Sequence, residues 1–457
     1  MKLKSTLVLG AMALGLSLQA NATVIAIIDS GTDLSHPALV DHKWFNAKEG
    51  TSDDAVDNDN NGFIDDINGW NFADGNNKLF DKSFLGTFSP DTYEFFAVQT
   101  RLLKGTGTQA DLDWIQAKEK DENFIAGLET FGNFVHGSHV AGIASKNVVD
   151  AKIMVMKIIP TKRPAPASVA NAAPPAACTG ASKIPDSLLK AGLKVLASQQ
   201  AKPMGAWGKY VDKGGARVAN CSFGISTANA TGIIAPVLTT LMKCTPSDDV
   251  VKTWAAYFVS QVVTAQAVLV TSAPKTLFVI AAGNDGMDND VYPSSPANIK
   301  TDNTISVAAT LDYLKIASFS NYGNTTVEVA APGVGIESSI PGGLYLTVSG
   351  TSQATPFVAN AAGRIIDLNP GLTNAEVKQI LMGTVDLKPF LSGKVVSGGI
   401  VNQDRAETAA QLSKSLGIAN AIKASRAQVG DVQPHFEPRM LRPEYEGYVM
   451  PLPTLFN

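Results

Sequence analysis

Apolar positions cluster in six short runs, all but the second ending in glycine or threonine: TVIAIIDSG (23–31), AKIMVMKII (151–159), ARVANCSFG (216–224), TLFVIAAGNDG (276–286), TISVAAT (304–310) and VEVAAPG (327–333). Continuous β-branched runs of this length, without polar alternation, predict strands covered on both faces. Helical stretches lie between several of them. The residues 349–368, SGTSQATPFVANAAGRIIDL, become almost wholly apolar and small after Ser352, the pattern of a buried helix. LTNAEVKQILMG (372–383) reads as an amphipathic helix with a capping box of Thr373 and Glu376. Alternating strands and helices predict an α/β architecture of three layers, a mostly parallel twisted sheet with helices on both faces.

Three stretches, near 78–131, 161–215 and 226–275, interrupt this rhythm and read as insertions. The second opens on TKRPAPASVANAAPPAA, a loop or linker by composition. Beyond about residue 412 the composition turns Pro-rich and aperiodic, so 413–457 is expected to be an extended or disordered tail. Residues 1–22 carry Lys2 and Lys4, an apolar run from Leu7 to Leu18 and small residues at Ala20, Asn21 and Ala22. That is the pattern of a secretory signal, with the mature chain beginning near Thr23 and residing in a periplasm or outside the cell. No later run has the length and purity of a transmembrane helix, since Thr264, Gln266 and Thr271 interrupt the one around Val262–Val270.

Net charge is −4, from 37 Lys and Arg against 41 Asp and Glu, with no basic patch, which removes nucleic acid as a partner class. Export implies an oxidising compartment, where three cysteines allow one internal disulfide. Cys178 and Cys244 lie in polar or Pro-rich surroundings and are expected to pair; Cys221, in the strand-like VANCSFG, is expected to be a buried thiol.

Four stretches carry chemistry. Asp29 closes the first strand, at the carboxyl edge where functional groups of open α/β sheets collect. In DNDNNGFIDD (57–66), Asp57, Asp59 and Asn61 alternate before Gly62, the Phe63 carbonyl is available, and Asp65 and Asp66 follow. This set of hard oxygens suits a structural Ca2+ ion, although Asn68 replaces the Glu that an EF-hand needs. His136 and His139, in NFVHGSHVAGIAS, stand at what reads as the start of a helix. No HExxH context supports a zinc site, so one catalytic and one structural histidine are expected. Ser352 stands in a helix's first turn, where free N–H groups and the helix dipole favour a developing anion; alone, it is equally an N-cap.

The segments IIDSG, HGSHVAGI, AAGNDG, FSNYG, VAAPG and GTSQATP, in this order over residues 23 to 410, resemble the subtilase family of serine endopeptidases. The resemblance implies a subtilisin-like fold and a triad of Asp29, His136 and Ser352, with no cofactor for catalysis. Asn284 would donate to the oxyanion, assisted by the Ser352 N–H. Ser222, Phe223 and Gly224 would pair with an extended protein or peptide substrate, and Ala281, Ala282 and Gly283 would form the facing wall of the pocket. These small apolar walls imply a preference for apolar residues before the cleaved bond. Gln353 and Ser138 depart mildly from the family pattern. A catalytically silent binding or adhesion protein of the same fold is the alternative. Secreted subtilases usually carry a pro-domain after the signal, whereas here the first core strand follows the expected cleavage site directly. Two expectations answer this: the calcium loop supplies folding stability, or the tail after 412 covers the groove.

Overall fold

A computed structural model describes residues 22–148, 150–162, 175–179, 185–435, 449–450 and 452–455. The expected signal segment therefore lies outside the described residues, as does most of the Pro- and Ala-rich loop. In chain order the strands are β1 (Val24–Asp29), β2 (Gly69–Asn71), β3 (Lys152–Lys157), β4 (Val218–Cys221), β5 (Ile225–Ser226), β6 (Leu277–Ala281), β7 (Ser294–Ser295), β8 (Thr304–Leu311), β9 (Lys315–Ile316), β10 (Val329–Pro332), β11 (Ile336–Ile340), β12 (Leu344–Val348), β13 (Asp386–Leu387) and β14 (Gly399–Ile400). All six apolar runs are strands of one sheet, ordered β13-β14-β10-β8-β6-β4-β1-β3-β2, with β9 added to β8. Neighbours are parallel except β13–β14 and β8–β9.

Side chains alternate across this sheet, so each strand divides its residues between two cores. From β1, Ile25 and Ile27 join Val140, Ala141 and Ala144 of the histidine helix (Glu122–Ser145) and Ala354, Val358, Ala361, Ala362 and Ile365 of the serine helix (Thr351–Leu368). Ala26 and Ile28 face the opposite layer, with Met204, Trp207, Tyr210 and Val211 of the helix Met204–Lys213.

The sequence places the histidines near a helix start, but the helix begins at Glu122, fourteen residues before His136, and so takes in the last part of the expected 78–131 insertion. Glycines at 127, 132, 137 and 142 lower its intrinsic propensity and hid it. At Gly137 the reason is space, because a Cβ there would overlap the Gly31 backbone at the end of β1. The rest of that insertion forms the helices Pro90–Leu103 and Gln109–Glu119. The later insertions supply the helices Asp186–Gln200, Thr227–Met242 and Asp248–Gln266, which share one apolar cluster through Leu193, Ile234 and Phe258. By length and composition alone the run Asp248–Thr271 is long and apolar enough to cross a membrane; here it packs within that cluster. Cys178 is bonded to Cys244, and Cys221 is a buried free thiol, as expected.

The expected tail boundary at 412 is corrected by the fold. Residues 418–428 form a helix, Ile418–Gln428, whose Ile422 packs on the main core. The attachment is polar as well as apolar. Arg405, 3 % exposed, reaches buried Asp386 at 2.9 Å, Asp431 at 2.7 Å and the carbonyls of Thr384, Val385 and Val429. Asp386 in turn accepts from Asn402 and from the Val432 N–H. Arg405→Met leaves this carboxylate buried without its cation, so equilibrium denaturation is expected to show a loss of about 3–5 kcal/mol.

Candidate active site

Strand parity aims the first group. Asp29 shares the face of Ile25 and Ile27, the face that the histidine helix covers. On that helix His136 lies one turn before Val140, on the stripe that meets the sheet. The two side chains consequently meet in the core, with His136 Nδ1 2.7 Å from Asp29 Oδ1. An acceptor-only carboxylate sets the proton on Nδ1 and leaves Nε2 of the neutral ring as an acceptor. Asp29 Oδ1 also accepts from the Ser30 N–H at 2.7 Å. Behind this pair the ammonium of buried Lys157 donates to the carbonyls of Ser30 and Ile159 and to Thr161 Oγ1; burial lowers its pKa to about 8. Lys157 is a supporting residue that the sequence reading passed over, since it ends an otherwise apolar strand.

Ser352 is not the cap of its helix. Gly350 occupies that position, and Ser352 is the second helical residue, buried at 3 % exposure. Four residues on stands Pro356, which has no N–H to return to the Ser352 carbonyl. The freed carbonyl accepts instead from Ser222 Oγ at 3.0 Å, and Ser352 Oγ makes a long 3.5 Å contact to the Ser222 carbonyl. The register pairs Ile28 with Cys221, so Ser222 and Asp29 leave neighbouring strand ends side by side. Parallel pairing thus sets Ser222, and Ser352 bonded to it, at the strand end next to that of Asp29.

Asn284 is held by the same helix start. Its Oδ1 accepts from the Thr351 N–H at 2.9 Å and from Thr351 Oγ1 at 2.8 Å, which fixes the amide orientation and turns Nδ2 outward. That Nδ2 donates to the carbonyl of Met450 at 3.0 Å. Gly350 is required here by space, because a Cβ would crowd both the Asn284 amide and Gln353. The loop carrying Asn284 is itself pinned by Asn321, whose Oδ1 accepts from the N–H groups of Asp285 and Met287. Asn321 belongs to the FSNYG stretch, so the signal for it was present in the sequence.

The expected groove walls divide. Gly224 presents its N–H to the Pro453 carbonyl at 2.9 Å, and Ser222 faces the serine helix. The Phe223 ring, by contrast, is buried beneath the sheet with Met204 and Phe278, and the Ala282 methyl packs with Ala308, Tyr313 and Val327. For these two only the backbone is left to form a wall, since strand alternation turns their side chains away. Ala281 closes β6 on the same face as Val279, and Gly283 donates its N–H to Thr351 Oγ1 at 3.3 Å.

The acidic loop adds Glu49 to two carboxylates of the expected ligand set. Carboxylate oxygens of Asp57 and Asp59 gather with Glu49, all within 4.8 Å of one another. Glu49 was missed because it lies eight residues upstream, before Gly50 turns the chain at φ +76°. Asn61 Oδ1 is taken by the Phe63 N–H, and its amide donates to Asp66. Asp65 accepts from the Asp54 and Ala55 N–H groups instead of turning inward with Asp57. Asp66 is fully buried, bonded to Asn46 at 2.7 Å, and burial raises its pKa to about 6. The Phe63 ring packs against Trp70, Phe72 and Tyr210. Of the four carboxylates in the expected set, Asp57 and Asp59 converge, and Glu49 joins them.

The subtilase family profile matches residues 20–417. Subtilisin BL of Lederbergia lenta is 36% identical over 141 residues, 31% of this chain and 49% of that protein. The cell wall-associated protease of Bacillus subtilis (strain 168) is 41% identical over 123 residues, 27% of this chain and 13% of that protein. The chain spans about half, or less, of the length of such curated relatives. Among solved structures, the A-subunit of the AB5 toxin from E. coli aligns at 18% identity and a TM-score of 0.43, covering 86% of this chain and 96% of that one. A cold adapted subtilisin-like serine proteinase aligns at 20% and 0.38, covering 84% and 88%.

The second histidine of the motif has a separate role. His139 is 1 % exposed, its Nε2 lies 2.9 Å from the Leu346 carbonyl, and burial lowers its pKa to about 4. Between pH 6.5 and about 4 the unfolded chain takes up a proton at this site and the folded one does not, so stability falls as pH falls through that window. Comparing unfolding free energies at pH 7.5 and 4.5, His139→Gln is expected to lose about 2–3 kcal/mol less than the parent chain.

Proposed function

This chain belongs to the subtilase family, and from that premise we propose that it is an exported serine endopeptidase that cleaves proteins or peptides after apolar residues. The observation carrying this reading is the buried 2.7 Å bond between His136 and Asp29, beside a serine helix whose first turn also orients Asn284. Ser352 Oγ attacks the peptide carbonyl while His136 Nε2 takes its proton. Asp29 holds the ring by Nδ1 and stabilises the imidazolium. The oxyanion forms against Asn284 Nδ2 and the Ser352 N–H, donors already oriented in the ground state, and removal of one such donor in subtilisin costs about 10²–10³ in kcat. His136 then returns the proton to the leaving amine, and water, deprotonated by the same ring, releases the acyl group.

Export is supported by the signal pattern at 1–22 and by relatives such as the cell wall-associated protease. A structural Ca2+ fits the loop: three carboxylates converge at Glu49, Asp57 and Asp59, where an unneutralised cluster repels itself. The ion would be held by these three and would add stability by binding the folded chain alone.

A fluorophosphonate probe is expected to label the folded chain, and Ser352→Ala to abolish the label. A folded parent chain that takes up no label instead supports the silent binding protein. For the ion, thermal melts with Ca2+ at a hundred times its Kd should gain about 2.7 kcal/mol over melts in chelator. Glu49→Gln should shrink that gain, and equal melts with and without Ca2+ would remove the metal from the proposal.

A further inference from the structure

Met450 and residues 452–454 lie in the groove. Met450 gives its carbonyl to Asn284 Nδ2 at 3.0 Å, the donor proposed for the oxyanion, and Pro453 gives its carbonyl to the Gly224 N–H at 2.9 Å, the donor proposed for substrate pairing. Apolar anchors flank these bonds. Met450 packs over Gly132 of the histidine helix, where a Cβ would overlap its sulfur, and joins the cluster of Phe131 and Phe134. Leu452 is 6 % exposed, and Leu455 bridges the Trp207 and Phe258 clusters. His136 and Ile225 line one cavity together with Met450, Leu452 and Pro453. The segment VMPLPTL contains two prolines, Pro451 and Pro453, which have no N–H, and both anchoring bonds use it only as an acceptor.

Direction separates this segment from a substrate. On the reading proposed above, the residues that pair along Ser222–Gly224 precede the carbonyl bound at Asn284. In the tail the order is inverted, since Pro453, at Gly224, follows Met450, at Asn284.

We propose that residues 449–455 are a built-in inhibitor of this groove, bound in reverse so that the enzyme holds its own C-terminal segment without cutting it. The inference rests on the endopeptidase reading and specifies how that site is kept silent. A tethered segment at millimolar effective concentration with a Kd of about 0.1 mM suppresses turnover on the order of tenfold. The full chain is therefore compared with its Leu452→Asp/Leu455→Asp variant, which disturbs the two apolar anchors and no catalytic group. The variant is expected to cleave a chromogenic apolar peptide about tenfold faster and to react faster with the fluorophosphonate. Added VMPLPTL peptide should inhibit it competitively, and the Gly224 amide should lose its protection from hydrogen exchange. Intact mass should show the Met450–Pro451 bond uncut in the parent after prolonged incubation. Equal turnover by both folded proteins overturns the inhibition, and rapid cleavage at Met450–Pro451 overturns the reversed direction. Absence of labelling in both overturns the endopeptidase reading, while Gly224 exchange still distinguishes a docked segment from a free one.

Discussion

Period-two alternation in a strand buried on both faces constrains everything at this site. Because Ile25 and Ile27 must meet one helical layer and Ala26 and Ile28 the other, the residue after them has no choice of side. Asp29 is driven onto the face of the histidine helix, and a carboxylate buried there needs a donor. His136 and the Ser30 N–H supply donors to the same oxygen. The close approach that permits this depends on two glycines, Gly31 and Gly137, packed backbone to backbone. A one-residue slip of β1 would place Asp29 among Met156, Trp207 and Phe278, with no such partner.

The serine helix solves a different problem, how to present polar groups from a buried element. Its core-facing side chains are mostly alanine, valine and isoleucine, and it opens on polar Thr351, Ser352 and Gln353. Pro356 takes one hydrogen bond out of the helix and thereby makes the Ser352 carbonyl available to Ser222. Thr351 uses both its N–H and its hydroxyl on Asn284, so the amide has a single orientation before any ligand arrives. Donors held in advance are what stabilise developing charge without reorganisation. The same readiness explains why a carbonyl of the chain's own end is found there.

The acidic loop and the chain's end both show local pattern being overruled by competition. In the acidic loop, backbone N–H groups bond Asp65, and the Asn46 and Asn61 amides bond Asp66. What converges is a smaller group with Glu49 added from before the turn. At the chain's end, Pro-rich composition suggests an extended segment, yet Leu452 is buried and residues 418–428 are helical and packed. Composition describes what a segment prefers in isolation; a groove lined by Gly132, His136 and Ile225 changes the alternatives it chooses among.

The sequence by itself determined the parallel sheet, its six main strands, the serine helix and the Thr373–Glu376 cap, because each follows from local periodicity or local hydrogen bonding; it suggested the pairing of Cys178 with Cys244, which the fold decided. Its resemblance to the subtilase family also singled out Asp29, His136, Asn284 and Ser352, since the motifs that carry the resemblance are short and contiguous. Only the tertiary structure decided that Asp29 meets His136, that Thr351 orients Asn284, that Asn321 and Lys157 support the site, and that Phe223 and Ala282 turn away from the groove. It alone brought Glu49 to Asp57 and Met450 to Asn284, across 166 residues. Contacts between distant segments depend on register, strand parity and close approach, and none of these is a property of any one stretch of chain.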